Sequence, residues 1–298
     1  MVAKAQPLRS QAIAELLAHA IDYAGLYPPA ALPMPDAVGE YAKQRVSPHA
    51  WALGRFVVGM DQLGTFIAAR RHVTGGPWPL SVLVTRNDGP QGRDLSTDTD
   101  ILRVEAVEAK ATSPSDVQQL EWLQAMAPEL YVEIPPDGDL PPLLTALRSL
   151  GARAKIRTGG VTAAAIPSAE TVARFMQSCL DAGVPFKATA GLHHLLRGEY
   201  PLTYEPESAR ATMFGFLNVF VAAALALSGA PVITLTQVLE EPRMRAFQFD
   251  ANGGVCWREH CLSNSDLRRA RKRGIAGFGS CSFAEPIAEL AKARLVDA

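Results

Sequence analysis

Two consecutive strand–helix units between Ala152 and His194 constrain this chain more than any other stretch. The first opens with Ala152-Arg-Ala-Lys-Ile-Arg-Thr-Gly-Gly160 and the second with Pro185-Phe-Lys-Ala-Thr-Ala-Gly-Leu-His-His194. Each predicted strand is short and apolar, carries one lysine and runs into a glycine turn. Between them Ser168 caps a predicted helix with apolar residues at Val172, Phe175, Met176 and Leu180, the spacing that fills one helical face. Side chains alternate across a strand, so Lys155 shares a face with Arg157, and Lys187 with Thr189. If these strands are neighbours in a parallel barrel, both lysines point into one interior.

Charged groups inside a barrel need a reason, because branched apolar side chains normally fill it and reactive groups gather at the C-terminal ends of the strands. Two adjacent ammonium groups repel and burial disfavours both charges, so at least one gives up its proton more easily. A neutral amine in such a place can attack a carbonyl and form a Schiff base. The plainer alternative is that each lysine pairs with a carboxylate and only closes the barrel. Glu108 and Glu133 are the carboxylates in reach on this reading, as proton shuttles or as neutralising partners.

The same strand–helix period extends over most of the chain. Strands are expected at 20–26, 53–58, 80–86, 102–110, 130–134, 152–160, 185–194 and 274–282, which makes a (β/α)8 barrel of the TIM type in a single domain covering 1–298. Residues 1–19 read as an arm and a short helix. A long polar loop at 193–208 is a candidate lid, and 213–227 reads as a buried helix. Residues 232–260 read as an insertion before the last unit, with a hairpin at 246–257. The loop at 87–94 interrupts the pattern, and Asp22 is a charge inside an apolar strand.

At 298 residues and 48% hydrophobic the chain suits one large core. With 29 basic against 30 acidic residues the net charge is −1, which argues against a nucleic-acid partner. The basic run 267–273 reads as a solvated helix face behind the Ser263-Asn-Ser-Asp266 cap. The buried helix falls short of the roughly 20 apolar residues that span a bilayer, so no membrane role is expected. Four scattered cysteines, Cys179, Cys256, Cys261 and Cys281, with no signal peptide, predict reduced thiols in a cytoplasm.

The segment Ala154-Lys-Ile-Arg-Thr-Gly-Gly-Val161, with its Pro167-Ser-Ala-Glu helix, resembles the strand of deoxyribose-phosphate aldolases that carries the Schiff-base lysine. Val184-Pro-Phe-Lys-Ala-Thr-Ala-Gly191 is similar to the next strand of that family, and Gly277-Phe-Gly-Ser-Cys-Ser282 to its last. The resemblance covers about three of eight units. It implies a lyase of the class I aldolase type with Lys155 as nucleophile, Lys187 as its neighbour, and Gly279, Ser280 and Ser282 as a cradle for a substrate phosphate. The family's acidic proton relay has no matching motif here, Glu108 being only a positional counterpart, and Arg157 stands where the family has a small polar residue. The His193-His194 pair and the long lid have no counterpart there. Gly-Leu-His-His and Gly-Phe-Leu-Asn-Val-Phe also resemble phrases in uncharacterised bacterial barrel proteins, which implies a fold and no activity.

Independently of any family, glycine turns after the strands can present backbone N–H groups to an anion. Arg157, Thr158, Gly159, Thr189, Gly191, His193 and His194 are therefore candidate substrate contacts, for a small carbonyl compound that carries an anionic group. No cofactor is required by this chemistry. The alternative is a lyase, isomerase or hydrolase in which His193 and Glu133 hold a divalent metal ion. A third reading is a barrel without catalysis that binds a metabolite or a partner, and a homo-oligomer is compatible with all three.

Overall fold

The computed structural model describes residues 10–85, 88, 100–250 and 253–297. The expected arm before residue 10, nearly all of the 87–94 loop and the turn at 251–252 lie outside them. Seven parallel strands come first: β1 (Ile21–Tyr23), β2 (Leu53–Gly59), β3 (Trp78–Leu83), β4 (Leu102–Lys110), β5 (Glu129–Glu133), β6 (Arg153–Arg157) and β7 (Phe186–Thr189). A hairpin follows, β8 (Gly198–Pro201) with β9 (Arg210–Met213), then a three-stranded antiparallel sheet of β10 (Phe247–Phe249), β11 (Val255–Trp257) and β12 (His260–Leu262). The last strand, β13 (Ile275–Ser280), pairs with both β7 and β1 and closes an eight-stranded barrel in the order β1-β13-β7-β6-β5-β4-β3-β2. The fold is a closed parallel β/α barrel of the TIM type.

Helices cover the outside where apolar periodicity and caps coincide. They are α1 (Gln11–Leu17), α2 (Met34–Arg45), α3 (Leu63–Arg70), α4 (Pro114–Gln118), α5 (Leu140–Ser149), α6 (Ala169–Asp181), α7 (Phe216–Leu227), α8 (Val232–Leu239), α9 (Asn264–Arg273) and α10 (Ala284–Lys292). Ser168 caps α6 by accepting from the Thr171 amide, and Val172, Phe175, Met176 and Cys179 form its buried face. Ser263 and Asp266 make a capping box on α9, whose last turn carries Arg271, Lys272 and Arg273 against the negative end of the helix.

The expected buried helix begins later than its apolar run. Gly215 is its N-cap, and Met213 belongs to β9 instead. Residues 216–226 of α7 are all buried, Asn218 among them. Its side chain is fully used: Oδ1 accepts from the Arg197 amide at 2.9 Å, and Nδ2 donates to the carbonyls of Val238 at 2.8 Å and Glu241 at 2.7 Å. An amide at the helix core thus ties the lid and the end of α8 to α7. No helix among the described residues is long and apolar enough to cross a membrane.

Three other expectations change. The 193–208 segment is not a plain loop but enters the β8–β9 hairpin. The 232–260 segment contains a full helix and three strands rather than a lone hairpin. Cys256 and Cys261, expected as free thiols, are directly paired across β11 and β12 with Cα atoms 4.0 Å apart and form a disulfide, whereas Cys179 and Cys281 are free and buried.

Candidate functional site

Register brings the charged strands together. Lys155 on β6 pairs with Glu133 on β5 and with Lys187 on β7, so the three lie side by side across the sheet. Hydrogen-bonded parallel neighbours send their side chains to the same face, here the barrel interior. Glu108 enters from β4, and Asp22 from β1 on the opposite side of the ring.

Glu108 is the centre of the group. Its Oε2 lies 2.7 Å from Lys155 Nζ, and its Oε1 accepts from Lys187 Nζ at 2.8 Å and from Ser81 Oγ at 2.5 Å. Lys187 also donates to Asp22 Oδ2 at 2.5 Å, and its ammonium rests 5.1 Å from the centre of the Tyr131 ring. Asp22 Oδ1 accepts from the Arg55 amide at 2.8 Å, and a side chain at Gly54 would put its Cβ 2.4 Å from that oxygen. The glycine makes room for the carboxylate. Glu133 completes the set, with Oε2 3.3 Å from Lys155 and Oε1 3.3 Å from Arg157 Nε.

Burial and pairing oppose each other at every one of these groups. Burial alone would raise the Glu108 carboxyl, but the two ammonium groups hold it well below the usual carboxylate range. Burial would likewise raise Glu133, and Lys155, Arg157 and Lys110 bring it down. Lys187 would lose its proton on burial, yet Asp22 and Glu108 push it above the ordinary lysine range. Lys187 is therefore a fixed cation. Lys155 also meets two carboxylates, Glu108 and Glu133, of which Glu133 is the more open and the farther, at 3.3 Å.

These groups floor a cavity of about 890 Å³ at the C-terminal mouth of the barrel. Lys155, Lys187, Glu108 and Glu133 line it, with Arg157, Thr189, His193 and Gly279 higher on the wall. Tyr27, Leu83, Leu120, Trp122 and Val161 add an apolar side. A second cavity of about 540 Å³ lies at the N-terminal end, where Arg55 bridges Glu105 and Glu129, and Arg153 also holds Glu129 at 2.8 Å. Lys187 touches both cavities and separates them.

The remaining sequence candidates divide by what they touch. Thr158 is buried and donates to the Ala190 carbonyl at 2.7 Å, so its hydroxyl fastens the β6 turn to the β7 turn. Gly159 and Gly191 pack backbone to backbone, with a Cβ on Gly159 placed 2.9 Å from Gly191 Cα. Gly191 needs its φ of +75°, and the preceding Ala190 also has positive φ, which ends β7 at Thr189 instead of carrying it to His194. His194 turns away from the lysines, hydrogen-bonds Glu289 at 2.6 Å and stacks on Tyr200 with ring centres 3.4 Å apart. His193 is buried on the cavity side with Nδ1 3.0 Å from Ser280 Oγ and 3.3 Å from Glu285 Oε2. The Ser280 hydroxyl donates to the Ser282 carbonyl at 2.7 Å, and the Ser282 hydroxyl accepts from the Glu285 amide at 3.2 Å. The Ser280 proton is thus engaged within its own turn, where the Ser282 hydroxyl acts as an acceptor.

His193 and Glu133, paired in the metal alternative, have different partners. Among the described residues no group of three or more His, Cys, Asp or Glu side chains is placed to share a metal ion. Sequence reasoning missed Ser81, Glu285, Tyr27 and Trp122, none of which breaks a local pattern. It noticed Asp22 and left its role open.

No family model matches the chain, and no curated protein matches it. Among solved structures, nitroalkane oxidase from Streptomyces ansochromogenes is 14% identical, with 95% of this chain and 99% of that chain covered and a TM-score of 0.38. That likeness is too weak to bear on fold or activity.

Proposed function

We propose that this barrel is a lyase of the aldolase type, in which Lys155 forms a Schiff base with a small carbonyl substrate. The observation that carries the reading is the sharing of Glu108 by two register-paired lysines on the floor of an open cavity. One lysine, Lys187, is held as a cation between two carboxylates. The other has a carboxylate on either side to take its proton.

In this scheme Lys155 passes a proton to Glu133 or Glu108, and the neutral amine attacks the carbonyl carbon. The carbonyl oxygen takes that proton and a second one released by the nitrogen after attack, and leaves as water, giving the iminium. The iminium then draws in the electron pair of the neighbouring carbon–carbon bond, while a carboxylate takes the proton of the hydroxyl that becomes the departing carbonyl and returns it to the carbon left on the enamine. The Lys187 cation sits where it stabilises the ionised state of Glu108, so that Glu133 is the readier of the two to take the proton. Arg157 at the rim supplies a positive charge for a carboxylate or phosphate on the substrate.

Borohydride trapping with a panel of small aldehydes and keto acids, followed by peptide mass spectrometry, tests this directly. A substrate-dependent adduct on Lys155, lost in Lys155→Met, is the expected result. An adduct on Lys187 would reverse the two roles, and no adduct with any carbonyl would end the Schiff-base reading.

A further inference from the structure

Another group of reactive side chains stands on the same cavity wall and has no part in the reaction above. Cys281 directly follows β13 and lines the cavity beside His193. It is only 5% exposed, so the cavity is its approach. Its Sγ lies 3.9 Å from Nδ1 and 3.9 Å from Nε2 of His193. Tyr204, in the segment joining β8 and β9, brings its hydroxyl to 3.6 Å from the same sulfur.

The hydrogen bonds assign the imidazole proton. Nδ1 faces the Glu285 carboxylate, which can only accept, and the Ser280 oxygen, whose own hydrogen is committed to the Ser282 carbonyl. Both neighbours therefore call for N–H at Nδ1, and when the ring is neutral this leaves Nε2 as its basic atom, 3.9 Å from the sulfur. A nucleophile, a base in reach of it and a carboxylate orienting that base have the spatial logic of an activated nucleophile. Burial would lower the His193 pKa, but its contacts with Cys281 and Glu285 raise it to about 9, so Nε2 becomes able to take the thiol proton as pH rises toward that value.

We propose that Cys281, His193 and Glu285 form a second nucleophilic centre, in which the thiol attacks an electrophilic carbonyl carbon admitted to the cavity. With an acyl donor, the sulfur–carbon bond forms and the bond from that carbon to the leaving group breaks. The thiol proton passes to Nε2 and then to the leaving group. With an aldehyde, the same bond forms, the carbonyl electron pair moves to oxygen, and that oxygen takes the proton to give a hemithioacetal. Nothing is oxidised or reduced in either case. The centre does not depend on the lysines being catalytic, because its thiol and base belong to different strands' ends.

The test uses p-nitrophenyl acetate on the folded protein, with quenching at acidic pH and peptide mass spectrometry. Its expected result is an acetyl group on Cys281 and none on Cys179, which is buried in α6. At a pH near 9 the acetylation rate should fall at least about tenfold in His193→Gln and less in Glu285→Gln. The groups facing the sulfur are His193, Tyr204 and, through space, Tyr23, with Glu285 on the far side of the contact to His193. In wild type the rate should rise with pH and level off above about 9 as the imidazole gives up its proton, and His193→Gln should lose that inflection. Equal rates and equal pH profiles in wild type and in whichever of His193→Gln and Glu285→Gln folds cooperatively would overturn the proposal, as would an unlabelled Cys281. Lysine acetylation is read on separate peptides, and borohydride trapping of Lys155 is read on the wild-type protein, so either reading can fail alone.

Discussion

Lys155 and Lys187 stand opposite each other in the register of β6 and β7, yet the two oxygens of Glu108 are divided between them, at 2.7 Å and 2.8 Å. One carboxylate thus separates two like charges and ties each to the same strand. Asp22 and Glu133 then distinguish them, by locking Lys187 from below and meeting Lys155 from the side.

Removal of Lys187 should be costly. Lys187→Met leaves Asp22 and Glu108 buried without their shared cation, a defect worth about 3–5 kcal/mol. Urea unfolding should show that loss, and Asp22→Asn added to the same chain should recover part of it. A double variant no more stable than the single one would contradict the pairing.

Acid should weaken the barrel through Glu108 and Glu133. Both carboxyls are depressed in the folded state, so their contribution is present above the unfolded value near pH ~4.3 and is lost as pH falls through their folded values. Urea midpoints measured downward from pH 6 should drop below about pH 4 in wild type, and the drop should be shallower in Glu108→Gln. His193 has the opposite sign, because its folded value is raised to about 9. Its stabilisation is complete below about pH 6.5 and fades as pH rises toward 9. The stability difference between wild type and His193→Gln should shrink over that interval.

Gly159→Ala should lower stability by about 1–3 kcal/mol, because the new methyl group meets the backbone of Gly191 and backbone cannot rotate away. The same shift would move the β6 and β7 turns apart, so reactivity of Lys155 toward a trapped carbonyl should fall with it. Thermal melting and trapping yield on the same sample check both effects.

Trp122 and Val161 on the cavity's apolar side should select among carbonyl substrates. Trp122→Ala should raise KM roughly tenfold for a substrate with an apolar arm and leave the trapping of a two-carbon aldehyde unchanged. Equal effects on both substrates would place the ring outside the binding surface.

The Cys256–Cys261 bond closes a loop of sequence separation 5, so reduction should cost no more than about 2 kcal/mol on loop-closure grounds. Hydrogen exchange should increase in β10, β11 and β12 and not in the barrel strands.

The barrel was legible because its strands are apolar, short and separated by helix-period segments, a signal that survives errors of a few residues at each end. Lys155 and Lys187 were legible for a related reason: alternation fixes the face of a lysine within its strand. The β8–β9 hairpin was not, since Gly198–Pro201 and Arg210–Met213 are largely polar and half-exposed and so lack an apolar period. The disulfide depended on a cross-strand register that spacing does not encode. Ser81, Glu285 and Cys281 reach the site through ring closure and through a turn conformation, and neither leaves a mark in local sequence. Ser280 illustrates the converse, an expected residue that is present but whose hydroxyl proton goes to the Ser282 carbonyl.

Asp22 and Lys187 are 165 residues apart, and they meet only because β13 joins β1 to β7. A chain that has folded β2 through β7 but not yet closed the ring holds Lys187 with one of its two carboxylates missing. Partial barrels of this sequence therefore carry an electrostatic defect that only the complete ring repairs. Long-range closure is slow on entropic grounds, and here it is also the step that neutralises the interior. The ion pair acts as a proofreading device in folding, one that disfavours open or slipped forms more than it strengthens the closed one.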